Sequence, residues 1–287
     1  MLKSSKKYLI ASADSMGVDL ITHTKNLNNL KEDIAVRWTE LDKIGDPFPV
    51  WPDLVAEKLN LEAINLSVPG IGNRAIYERA INEISRHNPK NIGLVVLMWS
   101  EWTRIDIRVP RYANYFRVRG RDRVNEILFK ESLYGKLNKL QTYEYIKMIV
   151  ELNLMYFYLM QNFLENLGIK YIMFSGLNPV KDDMHIEKIG VELDDSHEKY
   201  LLKNITESHY LELIDTSKFI GFPGHYKKGY GFSWDNCLAK LDPEKTLTRL
   251  GNQFKNIGKP FDMHPNEYGH KIGSDIIYEH YQKTFQA

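Results

Sequence analysis

The chain has almost no capacity for covalent cross-linking, since its 287 residues include one cysteine, Cys237. A single thiol cannot form an internal disulfide, which is typical of a reducing compartment, and we expect a cytoplasmic protein. A dominant charge is also absent, because 38 Lys and Arg residues against 37 Asp and Glu residues leave a formal net charge of +1. No overall field therefore draws the chain toward nucleic acid or a membrane surface.

Long apolar runs are missing as well. An apolar run over Tyr8–Ala11 follows two lysines near the N-terminus, but Asp14 interrupts it before it reaches the length of a signal peptide. The most apolar helical stretch, Ile149–Met160, contains Glu151 and Asn153 and is too short and too polar to span a bilayer. We therefore expect neither a targeting segment nor a membrane span in a chain of ordinary globular composition.

What the sequence does contain is an alternation of short apolar runs with helical patterns. The apolar runs predict strands over 8–12, 62–66, 92–98, 169–174 and 210–214. Apolar spacing, with proline and glycine near the ends, predicts helices over 51–59, 73–86, 143–167 and 265–285. This alternation predicts an α/β protein, a three-layer doubly wound parallel sheet, in a single domain over residues 1–287.

Residues 107–141 interrupt the alternation, and we interpret them as an arginine-rich insertion or lid that follows the third strand. Aromatic residues are interleaved with a cluster of arginines that begins just before this segment. The cluster consists of Arg104, Arg108, Arg111, Arg117, Arg119, Arg121 and Arg123. Such a mixture can bind phosphates and stack bases. The near-zero net charge and the lack of a known nucleic-acid module instead favour a lid for an anionic or sugar substrate.

An acidic stretch over 178–200 is predicted to be a solvated loop. Its candidate metal ligands are Asp182, Asp183, His185, Asp194, Asp195 and His197. Their spacing matches neither a ligand pair on one helix face nor a calcium loop, so we expect no metal site.

Polar turns follow the predicted strands. Asp14-Ser15 follows the first strand, Gly70–Asn73 the second and Ser100-Glu101 the third. Because ligands of open α/β sheets bind outside the carboxyl ends of the strands, these turns should meet at one edge. The segment Asp262–Pro265 opens the last helix, where a histidine can reach a serine hydroxyl as general base while a carboxylate holds its tautomer.

The order and spacing of these segments resemble the SGNH (GDSL-like) hydrolase family in four short blocks. The family's first block ends in Gly-Asp-Ser, where this chain has Ala13-Asp14-Ser15, and its second places a glycine after a strand, as in Asn65–Gly70. Its last block carries Asp and His before Pro, like Asp262–Asn266, although the family's Asp stands three residues before the His and this one stands two. Its third block reads Gly-x-Asn-Asp, and Met98–Glu101 occupies that place with neither glycine nor asparagine.

The resemblance implies a flavodoxin-like SGNH hydrolase fold and serine-dependent hydrolysis, or transfer, of an acyl ester without a cofactor. O-acetylated carbohydrates are among the substrates it implies. The catalytic residues it implies are Ser15 as nucleophile, His264 as base and Asp262 as the orienting carboxylate. The candidate oxyanion donors are the Ser15 backbone N–H with Gly70, Asn73 and Ser100. The residues expected at the substrate are Asp14, Trp99, Glu101 and Arg104.

Two other functions stay open at this point. The altered third block is what an SGNH-like binding protein without catalytic activity would show. The arginine and aromatic residues of 107–141 could instead bind polyanions. Ester turnover separates the hydrolase from both alternatives, and salt-dependent binding to nucleic acid would identify the last.

Overall fold

The computed structural model describes residues 6–19, 47–102, 104, 106–108, 115–117, 142–177, 195–222, 241, 246–249 and 261–286. The strands are β1 (Tyr8–Ser12), β2 (Glu62–Asn65), β3 (Ile92–Trp99), β4 (Asp106–Arg108), β5 (Tyr115–Arg117), β6 (Tyr171–Ser175), β7 (Leu247–Arg249) and β8 (Phe261–Pro265). The α-helices are α1 (Trp51–Lys58), α2 (Asn73–Ile84), α3 (Thr142–Asn166), α4 (Asp195–Glu207), α5 (His209–Leu213) and α6 (Glu267–Phe285). Short 3-10 turns cover Ser15–Gly17, Pro89–Asn91 and Thr216–Lys218.

Four strands form the central sheet in the order β2-β1-β3-β6, and every neighbouring pair is parallel. In the register, Ile10 of β1 lies between Ile64 of β2 and Val95 of β3. The four main predicted strands are therefore parallel neighbours in one sheet, and the predicted α/β class is confirmed. The order reverses between β1 and β3, which is the switch point where doubly wound sheets form their ligand crevice.

Helices cover both faces of this sheet. Because side chains alternate along a strand, Val95 and Leu97 of β3 pack with α2 and α3, whereas Leu94 and Val96 pack with α1 and α6. All four side chains are fully buried. A strand that is apolar at every position suits such a three-layer arrangement, since neither of its faces meets water.

The predicted fifth strand over 210–214 is wrong, because helix α5 covers most of it. The Ser208 hydroxyl accepts a hydrogen bond from the Tyr210 N–H and caps α5 at its start. Further along the chain, an isolated parallel bridge joins Phe219 to Met173 at the edge of β6, and the Ile220 N–H donates to the Met173 carbonyl at 2.8 Å.

Two other boundaries differ from the predictions. Helix α4 begins at Asp195, inside the predicted acidic loop, whose residues 178–194 lie outside the described part of the chain. The last helix begins at Glu267, because the Asn266 side chain accepts from the Gly269 N–H at 2.9 Å and so acts as the N-cap. Pro265 is therefore the end of β8 and not the first helical residue.

The arginine-rich insertion is described only at its start. Strands β4 and β5 pair antiparallel there as a small hairpin, while residues 109–114 and 118–141 lie outside the described chain. Within the described residues, no helix combines the length and the apolar character needed to cross a bilayer.

Candidate active site

Ser15 and His264 meet at the carboxyl edge of the sheet. Ser15 begins the 3-10 turn directly after β1, and His264 lies near the end of β8. The Ser15 Oγ and the His264 Nε2 are 2.7 Å apart, although the residues are 249 positions apart in sequence. With the imidazole proton on Nδ1, the serine hydroxyl donates to Nε2, which is the geometry of a nucleophile and its general base.

The turn that carries Ser15 is held by the residue before it. One carboxylate oxygen of Asp14 accepts from the Met16 N–H at 2.9 Å, and the Asp14 carbonyl accepts from the Gly17 N–H at 3.1 Å. Gly17 must lack a side chain because a Cβ there would overlap the Ser67 hydroxyl. Asp14 is fully buried, so this capping interaction is shielded from water.

The C-terminal segment is fixed by backbone contacts on both sides of His264. Strand β8 pairs with β7, and the Asn266 N–H donates to the Thr246 carbonyl at 3.0 Å. A side chain at Gly269 would overlap the same carbonyl, so a glycine lets α6 start close against it. Asp262 lies in β8 two residues before His264, and its side chain is outside the described part of the chain.

Gly70 follows the end of β2, as Ser15 follows the end of β1. The hydrogen bond from the Val68 N–H to the Ala13 carbonyl, at 3.1 Å, continues the pairing of β1 and β2 past the strand ends, and Gly70 and Ser15 each come two residues after this bond. Gly70 has a φ of 80°, a backbone conformation that favours glycine. Within the described part of the chain, the backbone N–H groups of Ser15 and Gly70 donate to no other residue.

Asn73 and Ser100, two further candidate oxyanion donors, use their donors elsewhere. The Asn73 amide oxygen accepts from the Ser100 N–H at 2.7 Å, and its Nδ2 donates to the Ser100 carbonyl at 3.1 Å and to Asn153 Oδ1 at 2.5 Å. Both amide hydrogens are therefore taken. The Ser100 hydroxyl donates to the Asp14 carboxylate at 2.6 Å, so its only side-chain proton is taken as well.

The residues expected at the substrate face inward. Trp99 is fully buried and packs on the Phe157 ring at 4.6 Å, and Asp14 and Glu101 are also fully buried. The Arg104 side chain is 9% exposed and binds both carboxylates. Burial alone would lower the pKa of this guanidinium, but three carboxylates outweigh it and leave the pKa raised. They are Asp14, Glu101 and Asp106.

Two buried residues that support the site were not predicted. Asp106 accepts from the Gly72 N–H at 2.8 Å and from the Ala75 N–H at 2.9 Å, so a carboxylate from β4 caps the start of α2. Gly72 is the N-cap residue and has no side chain of its own for this role. Asn153 lies on the buried face of α3, where a polar residue in an apolar helix was the available signal.

His270 supports the site from the first turns of α6. Its Nδ1 accepts from the Trp51 N–H at 3.2 Å, and its side chain is 1% exposed. Burial, reinforced by the nearby His264, lowers the pKa of His270 to about 3. His270 is therefore a neutral hydrogen-bond acceptor at the start of α1.

Other predicted features fall wholly or partly beyond what the structure describes. Residues 178–194 are not described, and neither are the side chains of Asp195 and His197. The same holds for the side chains of the arginines that follow Arg104 in the insertion. Among the described residues, no group of three or more His, Cys, Asp and Glu side chains could hold a metal ion.

No protein-family model and no curated protein matches the chain. Among solved structures, it is similar to a protein assigned to the G-D-S-L lipolytic family from Desulfitobacterium hafniense, with 9% identity, a TM-score of 0.43 and coverage of 96% of this chain and 99% of that one. The chain is also similar to a lipase/acylhydrolase from Enterococcus faecalis, with 13% identity, a TM-score of 0.41 and coverage of 96% of each chain. A third similar structure is the esterase EstA from Pseudoalteromonas, with 10% identity, a TM-score of 0.42 and coverage of 98% of this chain and 100% of that one.

Proposed function

We propose that the protein is a divergent SGNH-type hydrolase that cleaves acyl esters with Ser15 as its nucleophile. The observation that carries this proposal is the 2.7 Å contact between Ser15 Oγ and His264 Nε2. Hydrogen bonds hold both segments that carry these residues: Asp14 caps the turn after β1, and the Asn266 N–H after β8 donates to the Thr246 carbonyl. A serine with only a structural role in a turn would not require a hydrogen bond to a histidine side chain.

The proposed reaction uses the pair in two steps. Ser15 Oγ attacks the acyl carbonyl carbon while its proton passes to His264 Nε2, and His264 then gives that proton to the departing alcohol. In the second step His264 takes a proton from water as the water oxygen attacks the acyl-enzyme carbonyl carbon. His264 then returns this proton to Ser15 Oγ as the bond between Ser15 and the acyl group breaks and the carboxylic acid leaves. Asp262 is proposed to accept from the His264 Nδ1–H and so hold the required tautomer.

The proposed oxyanion hole consists of backbone groups. The N–H groups of Ser15 and Gly70 would donate to the oxygen that becomes negative in the tetrahedral intermediate. Asn73 and Ser100 are left out of it, because their donors bind other acceptors. Loss of one oxyanion donor typically costs about a hundredfold or more in rate, so we expect slow turnover.

The test is turnover of short acyl esters combined with covalent labelling. Wild-type protein should hydrolyse p-nitrophenyl acetate and take up a fluorophosphonate at Ser15, as mapped by mass spectrometry. Ser15→Ala should lose both with little change in melting temperature, because it removes one hydroxyl and keeps the backbone of the turn that Asp14 caps. An O-acetylated carbohydrate belongs in the substrate panel because it is one of the classes that the resemblance implies.

Ser67→Ala is the matched control. Its hydroxyl lies beside the same turn, against Gly17, and makes no hydrogen bond among the described residues, so its loss should leave turnover and labelling unchanged. Near-zero rates for both wild type and Ser15→Ala, without labelling, would refute the hydrolase and favour the binding protein. Equal but substantial rates would place the nucleophile elsewhere.

A further inference from the structure

A buried ion pair lies directly beneath the nucleophile turn. One oxygen of the Asp14 carboxylate caps the turn through the Met16 N–H, and the other accepts from the Ser100 hydroxyl at 2.6 Å and from the Arg104 guanidinium at 2.8 Å. Asp14 therefore links these two partners to the Met16 N–H in the turn that carries Ser15. A fully buried carboxylate also requires a compensating charge, and Arg104 supplies it.

Arg104 is itself fixed on two sides. Its Nε donates to Glu101 at 2.6 Å, which turns the planar guanidinium so that a terminal nitrogen points at Asp14. Its backbone carbonyl lies so close to Gly72 that a Cβ there would overlap it. Arg104 thus touches the turn of the nucleophile and the N-cap that follows the turn of Gly70.

We propose that Arg104 is a positioning residue that sets the Ser15–His264 contact by holding Asp14, and this inference rests on the proposed function for its meaning in catalysis. The Arg104 side chain is almost entirely buried and pairs with the carboxylates of Asp14 and Glu101. Arg104 is therefore expected to act on the turn through the Asp14 carboxylate. A displacement of about 1 Å at a reacting group can cost about a hundredfold in rate, so a loosened turn should lower kcat far more than it raises KM.

The decisive experiment measures the contact without relying on ester turnover. In a Ser15→Cys/Cys237→Ser parent, the introduced thiol faces His264, and pairing with an imidazolium keeps a thiol ionised at low pH. Its alkylation rate by iodoacetamide, measured from pH 5 to 9 and mapped to position 15, therefore reports whether residues 15 and 264 remain in contact.

Three variants are compared in that parent. Arg104→Met should slow alkylation at pH 6 by at least about tenfold, toward the profile of an ordinary thiol. Arg104→Lys keeps the charge but cannot serve Asp14 and Glu101 through one fork, so it should give a partial rescue. Ser100→Ala removes the other tether of Asp14 without changing any charge and should also give an intermediate profile. If Arg104→Met fails to fold, the last two variants decide.

Arg86→Met is the control, because Arg86 pairs with Glu83 on the exposed side of the protein. Unchanged profiles for both Arg104 variants, or an equal change in Arg86→Met, would overturn the inference. A parent thiol that already behaves like a free cysteine would overturn it too. An activated parent thiol that responds to Arg104, in a protein whose wild type has no ester turnover, would refute the proposed function and leave the inference standing.

Discussion

Replacing His270 with asparagine should make the free energy of unfolding depend less on pH below pH 7. His270 is buried at the start of α6 and accepts from the Trp51 N–H, which a neutral imidazole can do and an imidazolium cannot. An asparagine carbonyl can accept the same bond but does not titrate. The variant should be less stable than wild type at pH 7 by about 1–3 kcal/mol, since a smaller side chain leaves space in a packed region.

The pH dependence follows from the lowered pKa. Burial, with His264 nearby, brings the folded-state pKa of His270 to about 3, whereas an unfolded chain has a histidine pKa of about 6.5. Between these values only the unfolded state binds the proton, so the free energy of unfolding falls as the pH falls. At about 1.4 kcal/mol per pH unit, wild type should lose about 2 kcal/mol from this residue between pH 7 and pH 5.

Urea unfolding at pH 7, 6 and 5 measures this effect as a difference between proteins, so that other titrating groups cancel. The stability advantage of wild type over His270→Asn should shrink by about 2 kcal/mol across that range. His209→Asn, at an exposed histidine, is the control and should show no comparable change. If the advantage over His270→Asn stays constant within about 0.5 kcal/mol, the neutral buried imidazole is refuted.

Two further predictions concern the turns around the site, and urea unfolding tests both. Gly72→Ala should cost about 2–3 kcal/mol because its Cβ overlaps a backbone carbonyl, whereas Gly168→Ala should cost only about 1 kcal/mol because its φ of 65° is strained but the space is open. The reverse order would refute the close approach. Asn73→Ala should cost about 3 kcal/mol, since it leaves buried backbone and amide groups without partners, and a loss under about 1 kcal/mol would contradict that role.

Much of the fold can be predicted from sequence because the central strands are apolar at nearly every position. The continuous apolar run over residues 92–98 predicts a strand covered on both faces, and shorter apolar runs predict the other three strands of the sheet in the same way. The segment 210–214 was ambiguous, since its apolar residues suit a short strand and a short helix equally. In the structure the Ser208 hydroxyl caps a helix at this segment, and the stability of so short a helix depends on tertiary packing.

The geometry of the candidate site can be predicted where short sequence blocks carry it, but not where it depends on pairing between buried side chains. Ser15 and His264 can be named from their blocks. The partners of Asp14 cannot, because Arg104 lies 90 positions away and looks like one member of an arginine-rich surface segment. Asp106 is equally hidden, since its partners are backbone N–H groups 31 and 34 positions away, and backbone groups leave no trace in sequence.

The altered third block has a physical counterpart in this network. Where the SGNH blocks have an asparagine that donates to the oxyanion, Ser100 directs its hydroxyl to Asp14, and the amide of Asn73 is spent on the backbone of Ser100. The polar side chains of these two turns therefore hold each other in place, and of the candidate donors the proposed oxyanion hole keeps the backbone N–H groups of Ser15 and Gly70. Backbone donors cannot adjust by rotating a side chain, so the proposed hole is only as accurate as the turns that carry it. We therefore expect substitutions that loosen the Asp14 turn to lower the rate of the proposed reaction, whereas Ser15→Ala should abolish it.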